Sequence, residues 1–110
     1  MASNHTVIHE PDKLQFVIHT EYGDAVQMYE WEKGDMAINH TEVPVELEGK
    51  GYGTALAKYT LEYADKEGIK IRPYCLFMEE YIHAHAQQYR HLIADDFDPD
   101  AMINEQSDEA

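Results

Sequence analysis

The sequence predicts a small α+β domain: an antiparallel meander first, then a strand–helix–strand crossover and a C-terminal helix. Three observations carry this. Two Gly-containing turn signals, EYGD at 21–24 and EKGD at 32–35, separate three β-prone runs. A helical period begins directly after a cluster of three glycines, Gly49, Gly51 and Gly53. The chain has 110 residues, the size of one compact domain with one core.

The elements follow in chain order. Residues 6–9, TVIH, suit a short edge strand. Residues 13–20, KLQFVIHT, alternate, with Leu14, Phe16 and Ile18 on one face. Residues 25–31 and 36–43 complete the meander. Pro44 then takes the chain out of the ladder. Over 51–67, Tyr52, Ala55, Leu56, Tyr59 and Tyr63 recur at helical spacing, and Gly68 suits the C-terminal cap. A strand over 69–73 and a helix over 76–86 follow, with Tyr89 to Ile93 continuing or succeeding that helix. A right-handed crossover places strand 69–73 beside 36–43 and parallel to it.

Composition narrows the function. Lys and Arg number 8 against 22 Asp and Glu, a net charge of −14. Residues 94–110 hold seven of those acids and no base, so the domain is expected over 1–93, with a disordered or loosely attached acidic tail. Acidity of this degree argues against non-specific nucleic-acid binding. It favours a cationic partner, or simply keeps the protein in solution. The single cysteine, Cys75, excludes an internal disulfide and a multi-thiolate zinc site. His83 and His85, two apart on a helix, project in different directions and do not grip one metal ion. No apolar run reaches membrane-spanning length, and no signal peptide is visible, so a cytoplasmic protein is expected.

The stretch EGKGYGT at 48–54 asks for a ligand. A helix start presents unpaired N–H groups and a partial positive charge. Glycines let those groups converge and let a ligand approach without meeting a Cβ. Lys50 adds a formal charge. Neither the nucleotide P-loop nor the dinucleotide G-x-G-x-x-G pattern is met. On spacing alone, a phosphate cradle and a plain positive-φ turn are equally supported.

The residues from HTEVP at 40–44 through GKGYG at 49–53 to CLFMEEYI at 75–82 resemble the GNAT superfamily of acetyl-CoA-dependent N-acetyltransferases. More narrowly they resemble its small, single-domain branch, over about residues 13–93. The resemblance implies that Gly49, Lys50, Gly51, Tyr52, Gly53 and Thr54 hold the pyrophosphate of coenzyme A. Glu48 departs from that pattern, standing where a basic or amide residue is usual. The resemblance also implies a splay between strands 36–43 and 69–73 that admits the pantetheine arm. Backbone groups of Glu42 and Val43 would face the thioester there.

It places Cys75 near the thioester, either as an acyl acceptor or as pocket lining; without it, a lone cysteine reads as a small buried hydrophobe. His40 is a candidate base. Glu42, two residues on, leaves the same sheet face and can orient it. Tyr81 matches a tyrosine that donates a proton to the leaving thiolate. The sequence HAHAQQYRHL after it departs from the branch's H-P-E-Y.

The reading is an acetyl-CoA-dependent N-acetyltransferase whose amine acceptor the sequence does not identify. Charge favours a lysine side chain, a protein N-terminus or a polyamine. The competing readings are a non-catalytic acyl-CoA-binding module and an interaction domain that has lost its ligand. The open edge at 6–9 is compatible with a monomer or a weak dimer.

Overall fold

The computed structural model describes residues 5–97. Five strands form one mixed sheet: β1 (Ile8–Glu10), β2 (Gln15–Thr20), β3 (Gly23–Glu32), β4 (Asp35–Glu42) and β5 (Ile71–Pro73). Their spatial order is β1-β2-β3-β4-β5. The first four pair antiparallel, and β5 lies parallel to β4, as the crossover rule requires. The crossover helix is α1 (Tyr52–Glu67); α2 (Leu76–Ala84) and a short α3 (Ala86–Tyr89) follow β5.

Local chemistry explains the boundaries. Thr20 pairs with Gly23, so Glu21 and Tyr22 alone turn the first hairpin. In the second, Lys33 and Gly34 have φ of 55° and 82°. Two positive φ values are what a twisted two-residue hairpin turn needs. Gly68 ends α1 in the left-handed region, φ 73°, with its N–H returned to the last turn.

The ladder alternation assigns the faces. Phe16 and Ile18 of β2, Ala25 and Tyr29 of β3, Met36 and Ile38 of β4, and Ile71 of β5 point to one side. There they meet Leu56, Leu61 and Ala64 of α1 and Met78 and Ile82 of α2 in one buried cluster. Each fully buried large aliphatic side chain contributes about 1.5–3 kcal/mol of transfer free energy. Among the described residues no helix covers the other face, where Met28, Glu30, His40 and Glu42 are exposed.

Some expectations are corrected. The edge strand is Ile8–Glu10, and a 3-10 turn at Pro11–Lys13 separates it from β2. Leu14 is left-handed, φ 55°, with its N–H bonded to Pro11 O, so it stands outside the strand, though its side chain still packs against the core cluster of Phe16 and Ile18. The helix expected over 76–86 breaks at His85, whose φ/ψ of −121°/42° is not helical. The residues after 93 remain attached to the sheet through 97. Ile93 bridges to Ile71, Ala94 N–H donates to Ile71 O at 3.0 Å, and Asp96 Oδ1 accepts from buried Arg72 at 2.6 Å. The expected tail from 98 to 110 lies outside the described residues.

Candidate active site

The site begins where β4 and β5 part. Their pairing covers Met36–Ile71, Ala37–Arg72 and Ile38–Pro73, then ends. Cys75 N–H donates to Ile38 O at 2.9 Å as the last tie. Beyond it, β4 continues through Glu42 with only β3 as partner. The backbone groups on its other edge therefore face a gap with no strand to pair them.

A bulge lies at this point. Tyr29 pairs with Ile38 and Met28 with His40, leaving Asn39 as the extra residue of β4. Simple alternation would put His40 on the core face with Ile38. The bulge reverses this. His40 and Glu42 turn to the open face, with His40 Nε2–H donating to Glu42 Oε1 at 3.3 Å. Thr41 turns to the helix face, where its Oγ1 lies 3.4 Å from Cys75 Sγ. Cys75, half-buried, is the residue that caps α2. The gap is thus flanked by His40 and Glu42 on one face and by Thr41 and Cys75 on the other.

The glycine loop closes one end of this gap. Pro44 and a 3-10 turn at Val45–Leu47 lead to Glu48, which is extended. Gly49 and Gly51 then take φ of 78° and 90°. Gly51 caps α1 with no side-chain bond, and the first helical N–H to find a partner is that of Ala55, 3.0 Å from Gly51 O. Among the described residues, the N–H groups of Tyr52, Gly53 and Thr54 have no acceptor.

These residues line a cavity of about 260 Å³. Val43, Gly49, Gly51, Tyr52, Gly53 and Thr54 meet there, together with Leu47, Glu48 and Phe77. Unpaired N–H groups, the positive end of a 16-residue helix and wall positions without Cβ fit an anionic phosphate group. Glu48 opposes that fit through its charge, tempered because its side chain is exposed to water.

Two expected residues stand apart. Lys50 does not line the cavity; its carbonyl accepts from His5 Nε2–H at 3.1 Å, tying the N-terminal segment to the loop. Tyr81 lies along the flank of α1, stacked on His85 at 4.2 Å. Burial, then the Glu62 carboxylate, pushes its hydroxyl above the ordinary phenol value. Among the described residues no three His, Cys, Asp or Glu side chains converge as a metal site requires.

Sequence reasoning gave no role to Phe77, Thr41, Gln27 or His5. Phe77 sits 3.1 Å from where a Cβ on Gly53 would stand, so α2 packs directly on the loop. Its signal was present as the third residue of the Cys75-Leu76-Phe77 motif. Thr41 lay inside the HTEVP segment, but its direction depends on the bulge.

A mixed sheet that parts beside a glycine-opened helix is the layout of the acetyltransferase class that the motifs resemble. Residues 15–92 match the family model described as GCN5-related N-acetyl-transferase, and the chain belongs to that family. It is similar to Protein NATD1 of Xenopus tropicalis, 29% identical over 84 residues, covering 74% of this chain and 77% of that protein. It is 30% identical over 79 residues to Protein NATD1 of Gallus gallus, covering 69% and 72%. The Homo sapiens protein of the same name is also 30% identical over 79 residues, covering 69% and 70%. No helix among the described residues is long and apolar enough to cross a membrane.

Proposed function

We propose that this chain transfers an acetyl group from acetyl-CoA to the amine of a cationic acceptor. The observation that carries the reading is the juxtaposition of the 260 Å³ loop cavity with the unpaired edge of β4 at Val43. The loop N–H groups would hold the pyrophosphate, with Lys50 lending its charge from outside the cavity. The unpaired edge of β4 through Glu42 and Val43 would bond the amides of the pantetheine arm, and one N–H there would steady an oxyanion.

Acetyl-CoA supplies the thioester carbonyl that an amine attacks, with loss of the C–S bond. An ammonium acceptor must first give up a proton. His40 can take it at Nδ1, since Nε2–H is occupied by Glu42 at 3.3 Å. That hydrogen bond favours the tautomer with hydrogen on Nε2. Cys75 lines the helix side of the gap, where its thiol can touch the acyl group. Tyr81 is not among the residues that line the loop cavity, and this reading gives it no role.

Charge supports the cationic acceptor. Glu10, Glu30 and Glu42 share the open face with His40 by their ladder positions. Such a face raises the local concentration of a cation and lowers that of an acidic substrate.

The test is incubation with acetyl-CoA and a panel of lysine peptides, free N-terminal peptides, polyamines and acidic amines, with products read by mass spectrometry. Acetylated cationic amines are expected, at a rate that falls with added salt. Coenzyme binding without product across the panel would instead make the chain a non-catalytic acyl-CoA-binding module.

A further inference from the structure

Beneath the gap, the helix face of the sheet holds a polar side chain that core packing does not call for. Gln27 is fully buried, 0% exposed, in the ladder row of Phe16 and Thr41. Its Nε2–H donates to Thr41 Oγ1 at 3.0 Å. Its Oε1 has no partner among the described residues. A buried amide left half-satisfied is costly, and Leu or Met would fill the same space without that cost.

We propose that Gln27 and Thr41 are positioning residues that act in series on Cys75. The inference rests on the acetyl-transfer reading for its purpose, though not for its geometry. Thr41 Oγ1 receives a proton donor from Gln27, so its own hydroxyl hydrogen is free to donate. Cys75 Sγ, 3.4 Å away, is the acceptor within reach. A hydroxyl that donates to sulfur fixes the direction of the sulfur in the gap and leaves the S–H hydrogen unclaimed by Thr41. The backbone reinforces the placement, because Cys75 N–H is held by Ile38 O at 2.9 Å. The hydroxyl of β4 and the sulfur at the start of α2 are therefore brought together just beyond the point where β4 and β5 separate.

The opposite sense has a distinct chemistry. With the Gln27 amide reversed, its oxygen would accept from Thr41, and Cys75 S–H would donate to Thr41. That arrangement would tie the S–H hydrogen to Thr41 and turn the sulfur's direction accordingly. The two senses predict opposite effects of removing the Thr41 hydroxyl.

The chain has one cysteine, so its alkylation rate by iodoacetamide reports this site alone and needs no coenzyme. Thr41→Val keeps the shape and removes the hydroxyl; it should slow alkylation by about three- to ten-fold. Thr41→Ser should restore the rate to within about two-fold, which a purely steric role of Thr41 would not do. Gln27→Met should slow alkylation in the parent and have no further effect in the Thr41→Val background, since Gln27 acts through Thr41. Circular dichroism melting accompanies each variant. If Gln27→Met does not fold, the Thr41 pair decides the matter. An unchanged or faster rate in Thr41→Val, or failure of Thr41→Ser to restore it, overturns the proposal. Neither result bears on whether acetyl-CoA binds, which is measured separately.

Discussion

The two halves of β4 meet different neighbours. From Met36 to Ile38 the strand is paired on both edges, and all three residues are buried. A buried guanidinium clamps this half, with Arg72 bonded to Asp35 at 3.0 Å and to Asp96 at 2.6 Å. From Asn39 to Glu42 the strand has β3 alone, and His40 and Glu42 face water. The bulge at Asn39 separates a half that holds the fold from a half that leaves backbone and side chains free for a ligand. A buried, doubly paired stretch and an exposed, singly paired one thus share eight residues of one strand.

That division is broken most directly by truncation on either side of the bulge. Ile38→Ala should lower unfolding free energy by about 2–5 kcal/mol in a urea titration, the range for a large aliphatic lost from a packed core. His40→Ala should change it by no more than about 0.5 kcal/mol. Comparable losses at both positions would contradict the comparison. In acetyl transfer the ranking should invert: His40→Ala should lower kcat/KM by about 10²-fold, the lower end for loss of a general base, with the KM for acetyl-CoA unchanged.

A smaller effect tests the contact between the loop and α2. Gly53→Ala puts a Cβ 3.1 Å from the Phe77 ring, tighter than ordinary packing. Isothermal titration should show coenzyme A affinity reduced by roughly ten-fold, about 1.4 kcal/mol. Phe77→Leu in the same chain should recover part of it, because the clash is pairwise. Equal loss with and without Phe77 would place the effect elsewhere.

Legibility in the sequence followed the range of the signal. Both hairpins, the start and end of α1 and the parallel β4–β5 neighbourhood were legible because Gly turns, a helical period and crossover handedness are local or rule-bound. The glycine loop at the start of α1 was legible, but Lys50 does not line its cavity, and Leu47 and Phe77, which do, lie outside the motif that announces it. The faces of β4 beyond Ile38 were not. Asn39 carries no glycine or proline to announce a bulge, and two-residue alternation alone keeps His40 on the core side with Ile38. Leu14 likewise looks like the first apolar residue of a strand, but Pro11 starts a 3-10 turn that captures it. The Gln27–Thr41–Cys75 chain joins three elements far apart in sequence and has no local pattern.

The smallest expected effect lies in the strongly paired half of the molecule. His9 bonds to the Tyr29 hydroxyl at 2.6 Å and stacks on Phe16 at 4.3 Å. Burial holds its imidazole below the ordinary value of 6.5. The unfolded chain therefore takes up this proton first as pH falls. Its contribution to stability is complete above that ordinary value, declines as pH drops toward the lowered one, and is flat below it. An NMR titration of the His9 ring should give a midpoint under 6.5. A midpoint at or above that value would contradict the assignment.

The central claim, that the open half of β4 and the glycine loop form one coenzyme site, is tested most directly by titrating coenzyme A into isotopically labelled protein. Amide shifts should appear together at Gly49, Gly51, Gly53, Thr54 and Val43, with saturating behaviour, while the Lys33–Gly34 turn and Ile38 remain still. Silence at the three glycines, or shifts spread evenly over both halves of β4, would contradict it.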